Sequence, residues 1–100
     1  MITIKAAYLK SRRARMIGLL GRHKAIPIYL KTHFGIHTFG LKFPIDVLIL
    51  DRSNKIVKMV ENLLPNQVFL WLPIYDQVYE LPSGYISQHH IKTGDLIAKI

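Results

Sequence analysis

Ile45-Asp46-Val47-Leu48-Ile49-Leu50 sets five apolar side chains in six consecutive positions, without period-two alternation. Side chains alternate faces along a strand, so a strand here is apolar on both sides and has to be covered on both. Valine and isoleucine, stiff at χ1, fit a pleated surface. Pro44 is tolerated at a strand's start, where no ladder bond is lost. Asp51-Arg52-Ser53-Asn54-Lys55 is turn chemistry, because short polar side chains bond their own backbone. Ile56 to Val60 then reads as a return strand. The segment therefore predicts a β-hairpin with a loop of about four residues, its first strand in the centre of a sheet.

The rest of the chain supplies further short elements. Ile2 to Tyr8 reads as one strand, with Ile2, Ile4, Ala6 and Tyr8 on one face. Ser11 is a candidate cap for a helix over Arg12–Leu20, and Gly21 suits its end. Met16, Ile17 and Leu20 fall at helical spacing for the core. Pro27 makes Ala25–Leu30 an edge strand or an extended loop. Phe34–Phe39 is a strand bracketed by Gly35 and Gly40, which mark bulges or close backbone contacts. Gln67–Trp71 and Gln77–Leu81 are strands, Ser83–His90 a helical turn capped by Ser83, Lys92–Asp95 a turn and Leu96–Ile100 a closing strand. Half of the 100 residues are apolar, enough for a core and against disorder. The expected fold is mainly β: one compact β-sandwich or barrel-like domain with a short helix in its N-terminal half.

Three stretches carry a resemblance. Ile36-His37-Thr38-Phe39-Gly40-Leu41-Lys42-Phe43-Pro44-Ile45-Asp46 is long and specific. Arg15-Met16-Ile17-Gly18-Leu19-Leu20-Gly21-Arg22 and Tyr79-Glu80-Leu81-Pro82-Ser83-Gly84, followed by Gly94-Asp95, accompany it. Together they resemble the domain of unknown function 192 family of bacteria and archaea. The resemblance implies a compact, mainly β fold with a short helix and carries no established activity. Some relatives have export signals. This chain shows no charged n-region before an apolar stretch, and no run of about 18 apolar residues, so a cytoplasmic location is expected.

Charge is segregated. The formal net charge is +8, from 14 Lys and Arg against 6 Asp and Glu. Lys5, Lys10, Arg12, Arg13, Arg15, Arg22, Lys24 and Lys31 fall in the first third, which has no acid; beyond it the two signs balance. Such a segment is either a solvated face whose arginines pair with Asp46, Asp51 or Glu80, or a polyanion-binding patch. Lys10, Arg12, Arg13 and Arg15 are the candidate nucleic-acid contacts, although no recognition-helix motif accompanies them.

Other chemistry is sparse. Cysteine is absent, which removes disulfides, thiolate metal sites and cysteine nucleophiles. His33 and His37 would lie roughly 13 Å apart along a strand, too far to share an ion. Neither a metal site nor a cofactor is expected. Ser83 sits outside any Gly-x-Ser-x-Gly elbow, and no phosphate-cradling glycine loop occurs. Asp46 interrupts an apolar strand, and a buried carboxylate needs a partner. Either it accepts backbone N–H bonds or an arginine, or it joins His37 and Thr38 in a ligand pocket. The sequence thus reads as a small binding or accessory domain for a small ligand or peptide, acting through His37, Thr38 and Asp46. A basic nucleic-acid-binding module is the alternative, and an enzyme of unknown type the third reading.

Overall fold

The computed structural model describes residues 1–9 and 26–98. Its main sheet holds β2 (Ala7–Leu9), β3 (Ile28–Lys31), β8 (Gln77–Pro82), β5 (Ile45–Leu50) and β6 (Ile56–Leu63), in that order. Two small sheets accompany it: a parallel pair of β1 (Ile2–Thr3) with β9 (Ile97–Ala98), and an antiparallel ribbon of β4 (Gly35–His37) with β7 (Val68–Leu70). The helix among the described residues is α1 (Tyr85–Gln88), in the C-terminal half. The fold is mainly β, and its sheets do not close into a barrel among the described residues. The helix expected over Arg12–Leu20 lies outside the described residues.

β5 runs antiparallel to β8 on one side and β6 on the other, and all six of its residues are buried. Its alternating side chains feed two separate cores. Ile45, Val47 and Ile49 join Ile28, Leu30, Ile36, Leu63, Trp71 and Val78 beneath the β4–β7 ribbon. Leu48 and Leu50 join Ile4, Tyr79, Leu81, Ile86, Ile91 and Ile97 beneath α1 and the β1–β9 pair. The arrangement is layered: ribbon, main sheet, then helix and parallel pair. A strand without hydrophobic alternation fits it because both faces are covered.

The β5–β6 hairpin forms as its residues require. Asp51 Oδ1 accepts the Ser53 and Lys55 N–H groups at 2.8 and 3.0 Å, and Asn54 takes φ 64°. β6 runs on to Leu63, past the expected end at Val60. It does so through a bulge, because Ile45 pairs with Leu63 and Val47 with Val60, leaving Asp46 opposite Glu61 and Asn62.

Several expectations change in detail. The first strand is split: β1 pairs with β9 while β2 pairs with β3. Pro27 does not make an edge, since it precedes β3, which is paired on both sides. Ser83 does not cap α1; its hydroxyl donates to Asn62 Oδ1 at 2.8 Å, and the cap residue is Gly84 at φ 91°.

Tyr8, Tyr29 and Tyr79 pack in series, with ring centroids 5.7 and 5.0 Å apart. Burial raises the Tyr79 hydroxyl above its ordinary pKa, and Tyr29 adds to the rise. A group whose pKa is raised on folding contributes stability that is present below the unfolded-state value, near 10, and lost as pH climbs through the folded value. Stability should therefore fall with alkaline pH from about 10 upward. Urea midpoints measured across that range should show a shallower fall for Tyr79→Phe than for the wild type.

Candidate functional site

The β4–β7 ribbon is paired Gly35 with Leu70, Ile36 with Phe69 and His37 with Val68. Directly opposed residues share a face. Ile36 and Phe69 therefore turn inward, onto the core that includes Trp71. Gly35, His37, Val68 and Leu70 turn outward. The Trp71 indole is held by the Tyr75 carbonyl at 2.8 Å, which fixes the ribbon's end.

The outward face is apolar and open. Phe34 is 64 % exposed, Leu70 61 %, Val68 55 % and Phe39 49 %. Together with His33, Gly35, Ile36 and His37 they line a hollow of about 330 Å³. Gly35 lets the two ribbon strands approach closely. A Cβ built there would lie 2.6 Å from Leu70 Cδ2 and 2.7 Å from the Phe69 carbonyl oxygen, so no side chain fits without movement. Phe34, at φ 72°, forms one wall. Phe39 stacks on the His37 ring at 4.9 Å and forms another. His33 Nδ1 lies 2.8 Å from the Pro73 carbonyl oxygen. A shallow apolar dip with an imidazole at its side can take an apolar or aromatic group and offer it one polar contact.

A second hollow, of about 320 Å³, lies between Asp51, Arg52, Ser53, Ile74 and Tyr75. Its carboxylate oxygen Oδ1 is committed to the hairpin loop.

Of the ligand residues proposed from sequence, His37 lines the first hollow; Thr38 and Asp46 do not. Both are fully buried, with their side-chain oxygens engaged. Thr38 Oγ1 donates to the Leu64 carbonyl at 2.6 Å and accepts the Gln67 N–H at 2.9 Å, tying β4 to the approach to β7. Asp46 Oδ1 accepts the Asn62 N–H at 2.8 Å and Oδ2 the Ile86 N–H at 2.9 Å. Lys10, Arg12, Arg13 and Arg15 lie outside the described residues. No cluster of three His, Asp or Glu side chains that could hold a metal ion occurs among the described residues.

Sequence reasoning missed Phe34, Phe39, Val68 and Leu70. Gln67-Val68-Phe69-Leu70-Trp71-Leu72 is apolar at both parities, as Ile45–Leu50 is. On a two-stranded ribbon with one face on the core, that pattern leaves an apolar face in solvent. Leu72 and Ile74 continue the exposed strip beyond β7.

The model of the family DUF192, described as Uncharacterized ACR, matches residues 2–99. The chain belongs to this family. Two solved structures show the DUF192 member's fold. A protein of unknown function from Novosphingobium aromaticivorans is 14 % identical, with a TM-score of 0.76 over 91 % of this chain and 71 % of that one. A protein from Sinorhizobium meliloti described as a "putative transcription regulator" is 18 % identical, with a TM-score of 0.77 over 91 % of this chain and 78 % of that one. Comparison with curated proteins finds no match. Among the described residues of this DUF192 chain, no helix is long and apolar enough to cross a membrane.

Proposed function

We propose that this DUF192 chain is a small, single-domain binding module that takes an apolar side chain of a ligand or peptide in the hollow beside His37. One observation carries the reading: four large apolar residues, Phe34, Phe39, Val68 and Leu70, stand open around one hollow. Folded chains rarely leave such residues contiguous in water without a partner. His37 is the contact residue in this reading. Thr38 supports the site by tying β4 to the approach to β7, while Asp46, bonded to Asn62 and Ile86, serves the opposite face of the main sheet.

The test is a two-dimensional NMR titration with N-acetyl-leucinamide and N-acetyl-phenylalaninamide. Amide shifts should concentrate on Gly35, His37, Val68 and Leu70, and Val68→Glu, a change at an exposed lining residue, should abolish them by placing a charge in the apolar hollow. Shifts scattered over the molecule, or equal shifts in Val68→Glu, would contradict the reading.

The charge segregation supports a second reading, electrostatic nucleic-acid binding through Lys10, Arg12, Arg13 and Arg15. Phosphate neutralisation requires steep salt dependence, so failure to bind a generic oligonucleotide at low salt would end it.

A further inference from the structure

We propose that the outer edge of β7 accepts an extended peptide as an added strand, and that this peptide alternates acidic with apolar side chains. The inference rests on the hollow being a binding site and names its partner.

Among the described residues, β7 is paired on one side only. The Trp71 N–H donates to Phe34 and the Thr38 N–H to Gln67. In an antiparallel ladder, bonded and non-bonded pairs alternate. Phe69 therefore spends its backbone groups on Ile36, while Val68 and Leu70 turn theirs away from β4. One of these outward groups, the Leu70 carbonyl, receives the Lys58 ammonium at 2.9 Å. That ammonium lies 5.1 Å from the centre of the Phe69 ring, on the inner side of the ribbon.

The bland account of Lys58 is an edge guard, a charge that discourages strand pairing. The same geometry also selects. A strand arriving at this edge displaces Lys58 from the Leu70 carbonyl with its own N–H. The freed cation then faces those side chains of the newcomer that point inward, and a carboxylate there satisfies it. Outward-pointing side chains meet Val68 and Leu70 and extend into the hollow, where apolar groups fit. Period-two alternation of acidic and apolar residues meets both demands. A second copy of this chain is a poor occupant: each carries +8, and symmetric pairing of two β7 edges would oppose the two Lys58 side chains. Charge complementarity thus favours an acidic partner over self-association.

The experiment uses the full chain and three acetylated, amidated probes: a Glu-Leu repeat, a Lys-Leu repeat, and the Glu-Leu repeat N-methylated at alternate residues. The Glu-Leu peptide should bind, protect the Val68 and Leu70 amides from exchange, and weaken about tenfold with Lys58→Glu, a variant of an exposed side chain. The N-methylated and Lys-Leu peptides should bind far more weakly. Equal affinity for the N-methylated peptide, or for Lys58→Glu, would overturn strand addition at this edge. If N-acetyl-leucinamide still shifts Gly35 and His37 in that case, the hollow survives and only the edge proposal fails. Binding to anionic phospholipid vesicles without binding the Glu-Leu peptide, or dimerisation in sedimentation without peptide binding, would also overturn it.

Discussion

Asp46→Ala should lower the unfolding free energy by about 3–5 kcal/mol, a large share of what a domain this size ordinarily has. The fully buried carboxylate serves two backbone donors in different elements. Oδ1 takes the Asn62 N–H in the β5–β6 bulge, where the ladder has no carbonyl to offer. Oδ2 takes the Ile86 N–H in the first turn of α1. That is the kind of donor a helix cap normally satisfies, yet Gly84 at the cap position brings no side chain. Asp46 thus caps α1 from a neighbouring strand. Alanine leaves two buried N–H groups without acceptors, each costing about 1–3 kcal/mol. Asp46→Asn keeps one acceptor and turns an N–H₂ toward the other donor, so its loss should be smaller, about 2 kcal/mol. Urea unfolding should show lower midpoints with little change in slope. A loss under about 1 kcal/mol for Asp46→Ala would refute this account of the carboxylate.

Leu48→Ala should cost about 2–5 kcal/mol, the range for emptying a fully buried leucine site. Leu48 is 0 % exposed and packs with Tyr79, Leu81 and Ile86 under α1. Leu70→Ala removes the same atoms from a position that is 61 % exposed, and should change stability by no more than about 0.5 kcal/mol. The contrast separates an apolar run that holds the fold from one left open for a partner. Comparable losses for the two leucines would mean that the ribbon's outer face is part of the core.

The two-sided burial of β5 was legible because Ile45–Leu50 lacks alternation and ends in turn chemistry. The loop followed from Asp51 and Asn54, and the close contact at Gly35 from a glycine set in a strand. Asp46 was legible as a buried carboxylate needing donors, but not which donors, since Ile86 lies forty residues away in sequence. The exposed face was hidden for a related reason. Val68–Leu72 has nearly the same apolar density as Ile45–Leu50, and composition does not say how many layers cover a strand. Sheet order decides that: among the described residues, β5 lies between two strands and two cores, while β7 has one partner and one core. Ser83 misled because a serine before a helical turn ordinarily caps it, whereas here Asn62 claims the hydroxyl.

Native-state amide exchange followed by NMR tests the division between β5 and the ribbon most directly. Local opening spans the range from near zero up to the global free energy. The amides of Val47, Leu48 and Ile49, covered on both faces, should exchange only through global unfolding and slow together with added stability. Those of Val68 and Leu70, on the free edge, should exchange orders of magnitude faster and gain protection only when a ligand occupies the ribbon. Equal protection of the two groups in the unliganded protein would contradict the account.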